Sequence, residues 1–485
     1  MNDYTVRLQQ ITLENFKNVK NGKIAFQSYI EKTKKKKKNK VDLISRNQDI
    51  SNRADLIGIY GQNGSGKTAI VDSLRLFTQV VSGKEISSYN KSLIMSGEDS
   101  AKCEYVFYIR ENNNENSPEY IIYYGFEITH GIFIDKVKPQ MAIVDEYIKY
   151  SKFENGKIGP KVNVINYNVN LESIISPQKR INELKKNKGF NKNDLVIFKE
   201  LTNINSTSFL FNYRSFNSFV NGINESKLPL EALYKYAMDN LIIIGNDRLR
   251  DVKDTSEPIP FSLIVYTETD KIQKEYVVKY DKPIFVNEKD YNSVQLYIKR
   301  INSVLKGLIP GLQIEANKTT QLTMLDGENG YSFELLSVKN KSRIPLVCES
   351  DGIKKIISIL SAMIVMRHDE KVCLVVDELD AGVFEYLLGE LLSVLEDNAK
   401  GQFIFTSHNL RALETLSKES IVFTTTNPEN RYIRLTYVNG TNNIRDFYIR
   451  SIVLGGQVEE LFLETNRYDI MYGFIEAWGD KYNGN

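Results

Sequence analysis

Residues 61–68 read Gly61-Gln-Asn-Gly-Ser-Gly-Lys-Thr68 and match the phosphate-loop pattern G-x-x-x-x-G-K-[ST] in full. Three glycines let such a loop curl so that its backbone N–H groups point inward at phosphate oxygens. Lys67 is expected to bridge the β- and γ-phosphates of a nucleotide, and Thr68 to ligate Mg²⁺. The predicted nucleotide contacts are Gly61, Asn63, Gly64, Ser65, Gly66, Lys67 and Thr68.

The flanks of this loop have the pattern that a phosphate loop needs. Residues 56–60 read Leu-Ile-Gly-Ile-Tyr, which is typical of a short buried strand. Residues 68–81 place apolar side chains at helical spacing. A helix that follows the loop directs the positive end of its dipole at a bound anion. The context therefore favours a nucleotide site over a glycine-rich turn with no ligand.

A second apolar stretch ends in two carboxylates. Residues 372–376 read Val-Cys-Leu-Val-Val, the pattern of a buried parallel strand, and Asp377 and Glu378 follow it directly. An aspartate at the carboxyl end of such a strand suits a water-mediated hold on Mg²⁺ beside the phosphate loop. Glu378 would then orient or deprotonate the attacking water. Without the phosphate loop, the same pair would be interpreted as an ordinary strand cap.

Two further motifs lie on either side of that strand. Ser350-Asp-Gly352 opens a predicted helix 27 residues before Asp377, and such a helix start can cradle an anion. His408 lies 31 residues after Asp377 and directly follows the next apolar strand. An imidazole there can hydrogen-bond a γ-phosphate. Taken alone, either motif would indicate an ordinary cap or a structural histidine.

The charge of the chain is balanced overall but unevenly placed. Its 485 residues carry 63 basic and 61 acidic side chains, a net charge of +2, which argues against a generally basic nucleic-acid-binding protein. Residues 32–40, from Lys32 to Lys40, contain seven lysines, and setting these aside leaves a net charge of −5. This basic segment is either a solvated loop or a contact for nucleic acid or an acidic protein.

The three cysteines and three histidines are dispersed along the chain. This spacing argues against a disulfide framework, a zinc site, an HNH nuclease and a two-histidine iron site. No apolar run approaches the ~18–20 residues that span a bilayer. The first residues also lack the apolar region of a secretory signal. We therefore expect a soluble, cytoplasmic protein without membrane contact.

The patterns along the chain predict an α/β fold in three parts. Residues 1–150 would form a lobe with the phosphate loop and a strand meander, and residues 151–260 a mostly helical insertion. Residues 261–485 would form a second lobe with the Ser-x-Gly motif, the acidic strand end, His408 and a C-terminal extension. Alternating helix and strand over 352–406 is the basis of the α/β assignment. No heptad pattern runs over three or more repeats, so a long coiled coil is not expected.

The order of these motifs resembles the ABC-type ATPases of the SMC, RecF and OLD group. Walker A at 61–68 is followed by Ser-x-Gly at 350–352, Walker B at 372–378 and a histidine at 408. Residues 11–19 are also similar to the first strand and turn of that group. The resemblance implies an ABC-type P-loop ATPase head, with ATP and Mg²⁺ as cofactors and slow hydrolysis.

In that group two protomers pack head to tail, and each ATP lies between the Walker motifs of one and the Ser-x-Gly segment of the other. By resemblance, Ser350 and Gly352 would contact the γ-phosphate in trans, assisted by Lys354 or Lys355. The other implied roles are a catalytic base at Glu378, a dimer-facing loop at Asp380, a switch histidine at His408, and nucleotide contacts at Lys17 and Asn18.

The chain departs from the group's pattern in two places. Many relatives continue Walker B with Leu-His-Pro, whereas residues 380–386 here read Asp-Ala-Gly-Val-Phe-Glu-Tyr. For the glutamine loop, Gln79 and Gln140 are both candidates. The resemblance covers about residues 1–150 and 300–410 and is weak between them.

The compact size and the missing coiled coil resemble the ATPase subunits of bacterial anti-phage systems, above all that of the PARIS system and next that of the Septu system. This resemblance implies multimers that sense infection and hold or activate a separate nuclease or toxin. A Toprim or HNH protein would be the expected effector.

The residues also leave alternatives to this function. Residues 191–194, Asn191-Lys-Asn-Asp194, spell the guanine-reading NKxD of GTPases, but no predicted strand precedes them. An intrinsic nuclease is disfavoured because the 77 residues after His408 contain no histidine and no DxD cluster. A RecF-like DNA-repair ATPase that clamps DNA, and a scaffold that ATP holds together with little turnover, both remain open.

Overall fold

The computed structural model describes most of the chain. The described residues are 3–26, 55–86, 88–112, 118–130, 141–154, 157–187, 190–245, 261–267, 272–278, 283–323, 329–340, 342–434, 444–454, 457–463 and 466–478. The basic segment 32–40 and Gln140, one of the two glutamine-loop candidates, lie outside them.

These residues form strands that are numbered in chain order. They are β1 Tyr4–Phe16, β2 Val19–Ala25, β3 Asp55–Tyr60, β4 Ser100–Glu111, β5 Glu119–His130, β6 Met141–Glu154, β7 Lys157–Ile158, β8 Val162–Asn168, β9 Ile175–Ser176, β10 Leu241–Ile244, β11 Phe261–Thr267, β12 Ile272–Val278, β13 Ile284–Asn287, β14 Leu312–Thr323, β15 Asn329–Lys339, β16 Ser342–Pro345, β17 Cys373–Val376, β18 Gln402–Thr406, β19 Ile421–Thr424 and β20 Tyr432–Ile433.

The helices are numbered in the same way. They are α1 Lys67–Val81, α2 Gln178–Leu184, α3 Lys192–Asn205, α4 Tyr213–Gly222, α5 Asn224–Lys235, α6 Glu288–Leu308, α7 Asp351–His368, α8 Glu385–Asn398, α9 Ala412–Thr415, α10 Ile444–Leu454 and α11 Arg467–Trp478. Among the helices that the structure describes, none has the length and apolar character needed to cross a membrane.

A mostly parallel sheet lies at the centre, in the order β10-β17-β18-β3-β19-β20, with only the β19–β20 pair antiparallel. Strand β17 is buried along its whole length, as expected for a parallel strand covered on both faces. Its side chains alternate between two cores: Cys373 and Val375 face one, Leu374 and Val376 the other. The carboxyl ends of β3, β17 and β18 meet at one edge, where the predicted motifs follow them.

The first core joins the parallel sheet to an antiparallel sheet in the order β2-β1-β4-β5-β6-β8-β9. Helix α1 contributes to this core, and its Phe77 ring lies 4.9 Å from the Tyr105 ring and 5.4 Å from the Phe107 ring, measured between centroids. The Tyr105 hydroxyl also donates to the Ser73 carbonyl oxygen at 2.6 Å. Aromatic packing and this hydrogen bond therefore fix the helix that follows the phosphate loop.

The second core covers the opposite face of the parallel sheet and contains residues from α6, α7 and α8. A smaller antiparallel sheet in the order β13-β15-β14, with β16 paired to β15, contributes residues such as Phe333 and Leu335. Helix α7 begins at the Ser-x-Gly motif, where the Ser350 hydroxyl accepts from the Ile353 N–H at 3.4 Å. The Ser-x-Gly motif is therefore also a helix N-cap.

The predicted α/β fold class is confirmed, with the phosphate loop between β3 and α1, and the described residues contain no long coiled coil. The longest described helix, α6, has 21 residues. The predicted helix over 68–81 corresponds to α1, and the predicted strand over 372–376 to β17. The predicted alternation of helix and strand over 352–406 is found as α7, β17, α8 and β18.

The predicted start of the helical insertion at residue 151 needs correction. It falls inside β6, and residues 157–176 add β7, β8 and β9 to the antiparallel sheet. The reason is that Val164, Ile165 and Tyr167 are apolar and buried against the first core, in a stretch otherwise rich in lysine and asparagine. Helices begin only at Gln178. The division into three domains stays a prediction.

The NKxD sequence has a structural role. Asn191 is the N-cap of α3, and its side chain accepts from the Asn193 N–H at 3.3 Å. The Asp194 carboxylate accepts from the Asn191 N–H at 2.7 Å and completes a capping box. To contact a guanine base, this motif has to follow a strand. Here its two side chains stabilise the start of a helix instead.

Candidate functional site

The phosphate loop joins β3 to α1 in the predicted place. Gly61 packs so closely on β19 that a Cβ atom there would lie 1.8 Å from the Thr424 hydroxyl oxygen. Gly66 stands at the N-cap of α1 with a φ of 96°, a left-handed conformation that favours glycine. No side-chain cap covers this helix start. The positive end of α1 is thus directed at the loop, as an anion site requires.

Lys67 is a buried cation inside the loop. Its ammonium donates to the carbonyl oxygens of Gly61 at 2.8 Å and Gln62 at 2.9 Å. Burial lowers the pKa of Lys67 to about 8, although the carboxylates of Asp377 and Glu378 oppose the shift. A polyanion beside this ammonium would restore its ordinary pKa, because a nearby negative charge favours the charged form.

Side chains from outside the motif hold the loop from behind. The buried Tyr432 hydroxyl donates to the Gly66 carbonyl oxygen at 2.8 Å, and the Arg431 guanidinium donates to the Asn18 carbonyl oxygen at 2.6 Å. The Asn18 amide in turn donates to the Gly64 carbonyl oxygen. Sequence reasoning missed Arg431 and Tyr432, since a two-residue edge strand carries no recognisable motif.

Lys17 lies at the same end of the site and pairs with a carboxylate of α1. Its ammonium contacts Asp72, which also accepts from Arg75 at 2.9 Å. Lys17 has a φ of 54°, so the turn after β1 holds it in a left-handed conformation. The structure brings Lys17 and Asn18 to the loop, and their contact with a nucleotide stays a prediction.

The end of β17 brings its carboxylate to the loop. The Asp377 carboxylate accepts from the Thr406 hydroxyl at 2.6 Å and lies 3.5 Å from the Thr68 hydroxyl oxygen. Burial raises the pKa of Asp377, while the hydrogen bond from Thr406 opposes this shift. The Thr406 hydroxyl oxygen also accepts from the Glu378 N–H at 2.7 Å. Thr406, at the end of β18 between β3 and β17, is a further residue that sequence reasoning missed.

Thr68 and Asp377 fit a magnesium ion. Both offer oxygen atoms, the donors that Mg²⁺ prefers, and these oxygens face each other across 3.5 Å beside the loop. Mg²⁺ usually takes one or two protein ligands and completes its shell with water and substrate phosphates. Bound there, the ion would neutralise charge on the β- and γ-phosphates.

Glu378 occupies a constrained turn after β17. Its φ is 48°, which is uncommon for a residue with a side chain. The Lys355 ammonium, from the first turns of α7, donates to the Glu378 carbonyl oxygen. Burial lowers the pKa of Lys355, with the carboxylate of Glu378 opposing the shift. The hydrogen bonds from Lys355 and to Thr406 therefore hold the Glu378 backbone in this turn.

His408 lines the cleft on the side of β18. Partial burial and then the Lys67 ammonium lower the pKa of His408, so that its imidazole is mostly neutral at pH 7. Its backbone N–H donates to the Asp380 carboxylate at 3.1 Å, which ties the histidine to the loop after Walker B. A neutral imidazole can donate or accept a hydrogen bond at a phosphate oxygen.

Most of the predicted site residues line an open cleft of about 1380 Å³. Gly61 and Ser65 are buried beneath it, and Gln79, the glutamine-loop candidate within the described residues, lines it. The predicted site residues along its wall are Lys17, Asn18, Asn63, Gly64, Gly66, Lys67, Thr68, Asp377, Glu378 and His408.

The Ser-x-Gly motif does not line this cleft. Ser350 is exposed, and Gly352 packs on the loop after Walker B, where a Cβ atom would lie 2.1 Å from the Gly382 carbonyl oxygen. Lys354 is buried, with its ammonium 2.9 Å from the Asp351 carboxylate. Contact of Ser350, Gly352 and Lys354 with a nucleotide stays a prediction, and Lys355 is the lysine nearer to Glu378.

No family model and no curated relative matches this chain. Solved structures similar to it include an Smc head domain of Pyrococcus furiosus with an extended coiled coil, bound to the C-terminal domain of ScpA (12% identity, TM-score 0.39, 89% of this chain and 96% of that chain). The SMC head domain of Thermotoga maritima (14%, TM-score 0.35, 88% and 99%) and the recombination mediator RecF with ATP (13%, TM-score 0.34, 84% and 94%) are also similar.

The lowered pKa of Lys67 predicts that polyphosphate binding weakens as the pH rises. Below pH 8 the ammonium is already charged, so its contribution to affinity is constant. Above pH 8 a proton must be taken up on binding, which costs up to about tenfold in affinity per pH unit. Titration calorimetry with inorganic tripolyphosphate between pH 6.5 and 9.5 measures this dependence.

Lys67→Arg is the matched control, because arginine stays charged over this range. The ratio of the two affinities cancels titration of the probe itself. If wild type and Lys67→Arg lose affinity in parallel above pH 8, the assignment of the titration to Lys67 is wrong.

Proposed function

We propose that this protein binds Mg·ATP and hydrolyses it slowly, at a site completed by a second copy of the chain. The observation that carries the proposal is the convergence of Lys67, Thr68 and Asp377, with the Thr68 and Asp377 oxygens 3.5 Å apart. A buried ammonium, a hydroxyl and a carboxylate beside an uncapped helix start are the groups that a triphosphate and its magnesium ion need.

Each of these residues would have its own role in binding or hydrolysis. The Lys67 ammonium leaves the carbonyl oxygens of Gly61 and Gln62 and binds the β- and γ-phosphates. Thr68 and Asp377 hold the magnesium ion. Glu378 accepts a proton from the attacking water, and His408 hydrogen-bonds the γ-phosphate. Positioning and charge stabilisation supply most of the catalysis in such reactions.

The placement of Ser350 supports a site shared between two copies. The N-terminus of α7 has the dipole and the hydroxyl for binding an anion, yet it lies outside the cleft of its own chain. Two copies packed head to tail would bring each α7 N-terminus to the other copy's phosphate loop. When a two-fold axis relates the two copies, this arrangement closes on itself with two equivalent sites.

Glu378→Gln tests the proposed base. The amide cannot accept a proton, so we expect ATP turnover to fall by about 10²-fold or more while Mg·ATP stays bound. Turnover is measured by phosphate release and retention by nucleotide content after gel filtration. Unchanged turnover would refute the role of Glu378, and normal assembly of a wild type with negligible turnover would favour the scaffold alternative.

Ser350→Arg tests the shared site. The bulky cation would prevent α7 of one copy from approaching the other copy's γ-phosphate, so we expect hydrolysis to be lost. Binding of a fluorescent ATP analogue to the isolated protomer should change less than about twofold, because Ser350 lies outside that cleft.

Ser303→Arg, at an exposed serine of α6, is the control for the added charge and should hydrolyse ATP normally. A normal rate in Ser350→Arg would contradict the shared site and leave the nucleotide-binding part of the proposal standing.

For the cellular role, we propose a cytoplasmic ATPase subunit of a bacterial anti-phage system, which holds or activates a separate Toprim or HNH effector. The support is the resemblance of the motif order combined with a compact head whose longest described helix has only 21 residues. The basic segment 32–40 would contact nucleic acid or an acidic protein. A RecF-like ATPase that clamps DNA remains the alternative.

Phage challenge separates these roles. Cells that carry this gene with its neighbours should resist infection, and Lys67→Ala should abolish the resistance because the phosphate loop can no longer hold a triphosphate. Plaque counts on wild-type, Lys67→Ala and empty-vector cells measure the effect. Equal plaque counts on all three, together with salt-sensitive DNA binding by the purified protein, would favour the DNA-clamping alternative.

A further inference from the structure

The C-terminal segment of the chain runs along the rim of the phosphate loop. The Leu463 N–H donates to the side-chain oxygen of Gln62, the second residue of the loop, at 3.0 Å. Two residues earlier, Leu461 is buried in the second core, and the Glu460 carbonyl oxygen accepts from the Thr426 N–H at 2.8 Å. Residues 457–463 are therefore attached beside the phosphate loop at several points.

A carboxylate adds to this attachment. The two Glu459 oxygens accept from the Asn427 and Asn430 side-chain amides, each at 2.9 Å, and these hydrogen bonds lower the pKa of Glu459. Asn427 and Asn430 belong to the loop before Arg431 and Tyr432, the residues that support the phosphate loop from behind. The segment thus binds the same support structure as the phosphate loop.

Helix α11 begins four residues after Leu463, so its first residue lies within about 14 Å of Leu463. Every side chain described in this helix is exposed, including six large apolar ones that are each at least 47% exposed. They are Tyr468, Ile470, Met471, Tyr472, Phe474 and Ile475. A 12-residue helix is marginal in water unless its apolar surface is covered.

The apolar surface of α11 is broad. At 100° per residue, the six side chains span an arc of about 200°, wider than the stripe of about 100° that a helix on a protein surface usually buries. Asp469 and Glu476 project on the remaining side, within about 20° of each other. The helix therefore offers a wide apolar face with one acidic edge.

A second copy of this chain carries an exposed strand where the proposed function would place it. That function brings the copy's Ser350 to the phosphate loop, beside Gln62. Strand β16, Ser342–Pro345, ends five residues before Ser350, is exposed along its length and is described pairing with β15. It presents Ile344, 37% exposed, and Arg343, whose ion pair with Glu315 at 3.2 Å joins two largely exposed side chains and so contributes little.

From this placement we infer that α11 docks on the second copy at its β16 edge and Ser-x-Gly cap, forming a second part of the homotypic interface next to the nucleotide. The apolar face of α11 packs on Ile344 at the β16 edge. The acidic edge of α11, formed by Asp469 and Glu476, faces Arg343. The inference rests on the proposed head-to-tail function and extends it. One helix from each copy would then add a contact between the copies next to the shared nucleotide site.

Phe474→Asp tests the docking. Phe474 is 76% exposed, so the change should leave the fold intact and place a charge in the apolar contact. In the Glu378→Gln background with Mg·ATP, we expect the dimer dissociation constant, measured by sedimentation, to rise about thirtyfold. Tyr213→Asp, at an 82% exposed aromatic residue of α4, is the matched control and should dimerise normally.

Charge reversal tests the assigned counterpart. Arg343→Glu alone should weaken the dimer, and Asp469→Lys with Glu476→Lys in the same chain should restore it, since the two reversed edges attract again. Dimerisation of Phe474→Asp equal to that of Tyr213→Asp, or no restoration by the triple charge change, would overturn the inference.

Failure of the inference is distinguishable from failure of the proposed function. If the Glu378→Gln protein forms no dimer with Mg·ATP, the shared site and the docking of α11 are both wrong. If it dimerises and Ser350→Arg abolishes hydrolysis while Phe474→Asp dimerises normally, only the docking of α11 is wrong.

Discussion

The buried ammonium of Lys67 is the interaction on which the site depends. It donates to two carbonyl oxygens of its own loop, at 2.8 and 2.9 Å, and burial lowers its pKa to about 8. Burial removes part of the solvation of this cation, and a bound anion would compensate for that loss. The neighbouring carboxylates of Asp377 and Glu378 would repel that anion, and a magnesium ion bound beside them would offset the repulsion. The loop, its supports and the acidic strand end therefore together set the charge that a bound anion would meet.

The parallel sheet brings these charged residues together. Strands β3, β17 and β18 end at the same edge, so residues more than 300 positions apart in the sequence come within hydrogen-bonding distance, as Thr68 and Asp377 do at 3.5 Å. Aromatic packing fixes α1 on one face of the sheet, and α7 on the other face carries Lys355 to the Glu378 backbone. The same helix begins with Ser350, so one rigid element would link a chain's own base to the partner's nucleotide in the proposed dimer.

The sequence predicts the parts of this structure that local patterns encode. The G-x-x-x-x-G-K-[ST] loop, the apolar run before Asp377 and the helical spacing of 68–81 each depend on neighbouring residues, and all three are found as predicted. Tyr432 supports Gly66 from 366 positions away and Thr406 contacts Asp377 from 29 positions away, and no local pattern marks either residue. The strands within 157–176 are hidden for a related reason: tertiary burial of a few apolar side chains outweighs a polar local composition. The exposed surface of α11 is likewise not apparent from the sequence, because apolar residues alone do not show whether another surface covers them.

The central claim is that the phosphate loop of one copy meets the Ser-x-Gly cap of another, and the chain offers a direct measurement of it. Cys348 is exposed two residues before Ser350, whereas Cys103 and Cys373 are buried. Asn63→Cys places a second reactive thiol on the exposed part of the phosphate loop. With a short bis-maleimide crosslinker, the account predicts a covalent dimer that forms with Mg·ATP, is absent without nucleotide, and is lost when Cys348 is replaced by serine. Absence of that dimer in every nucleotide state would contradict the account.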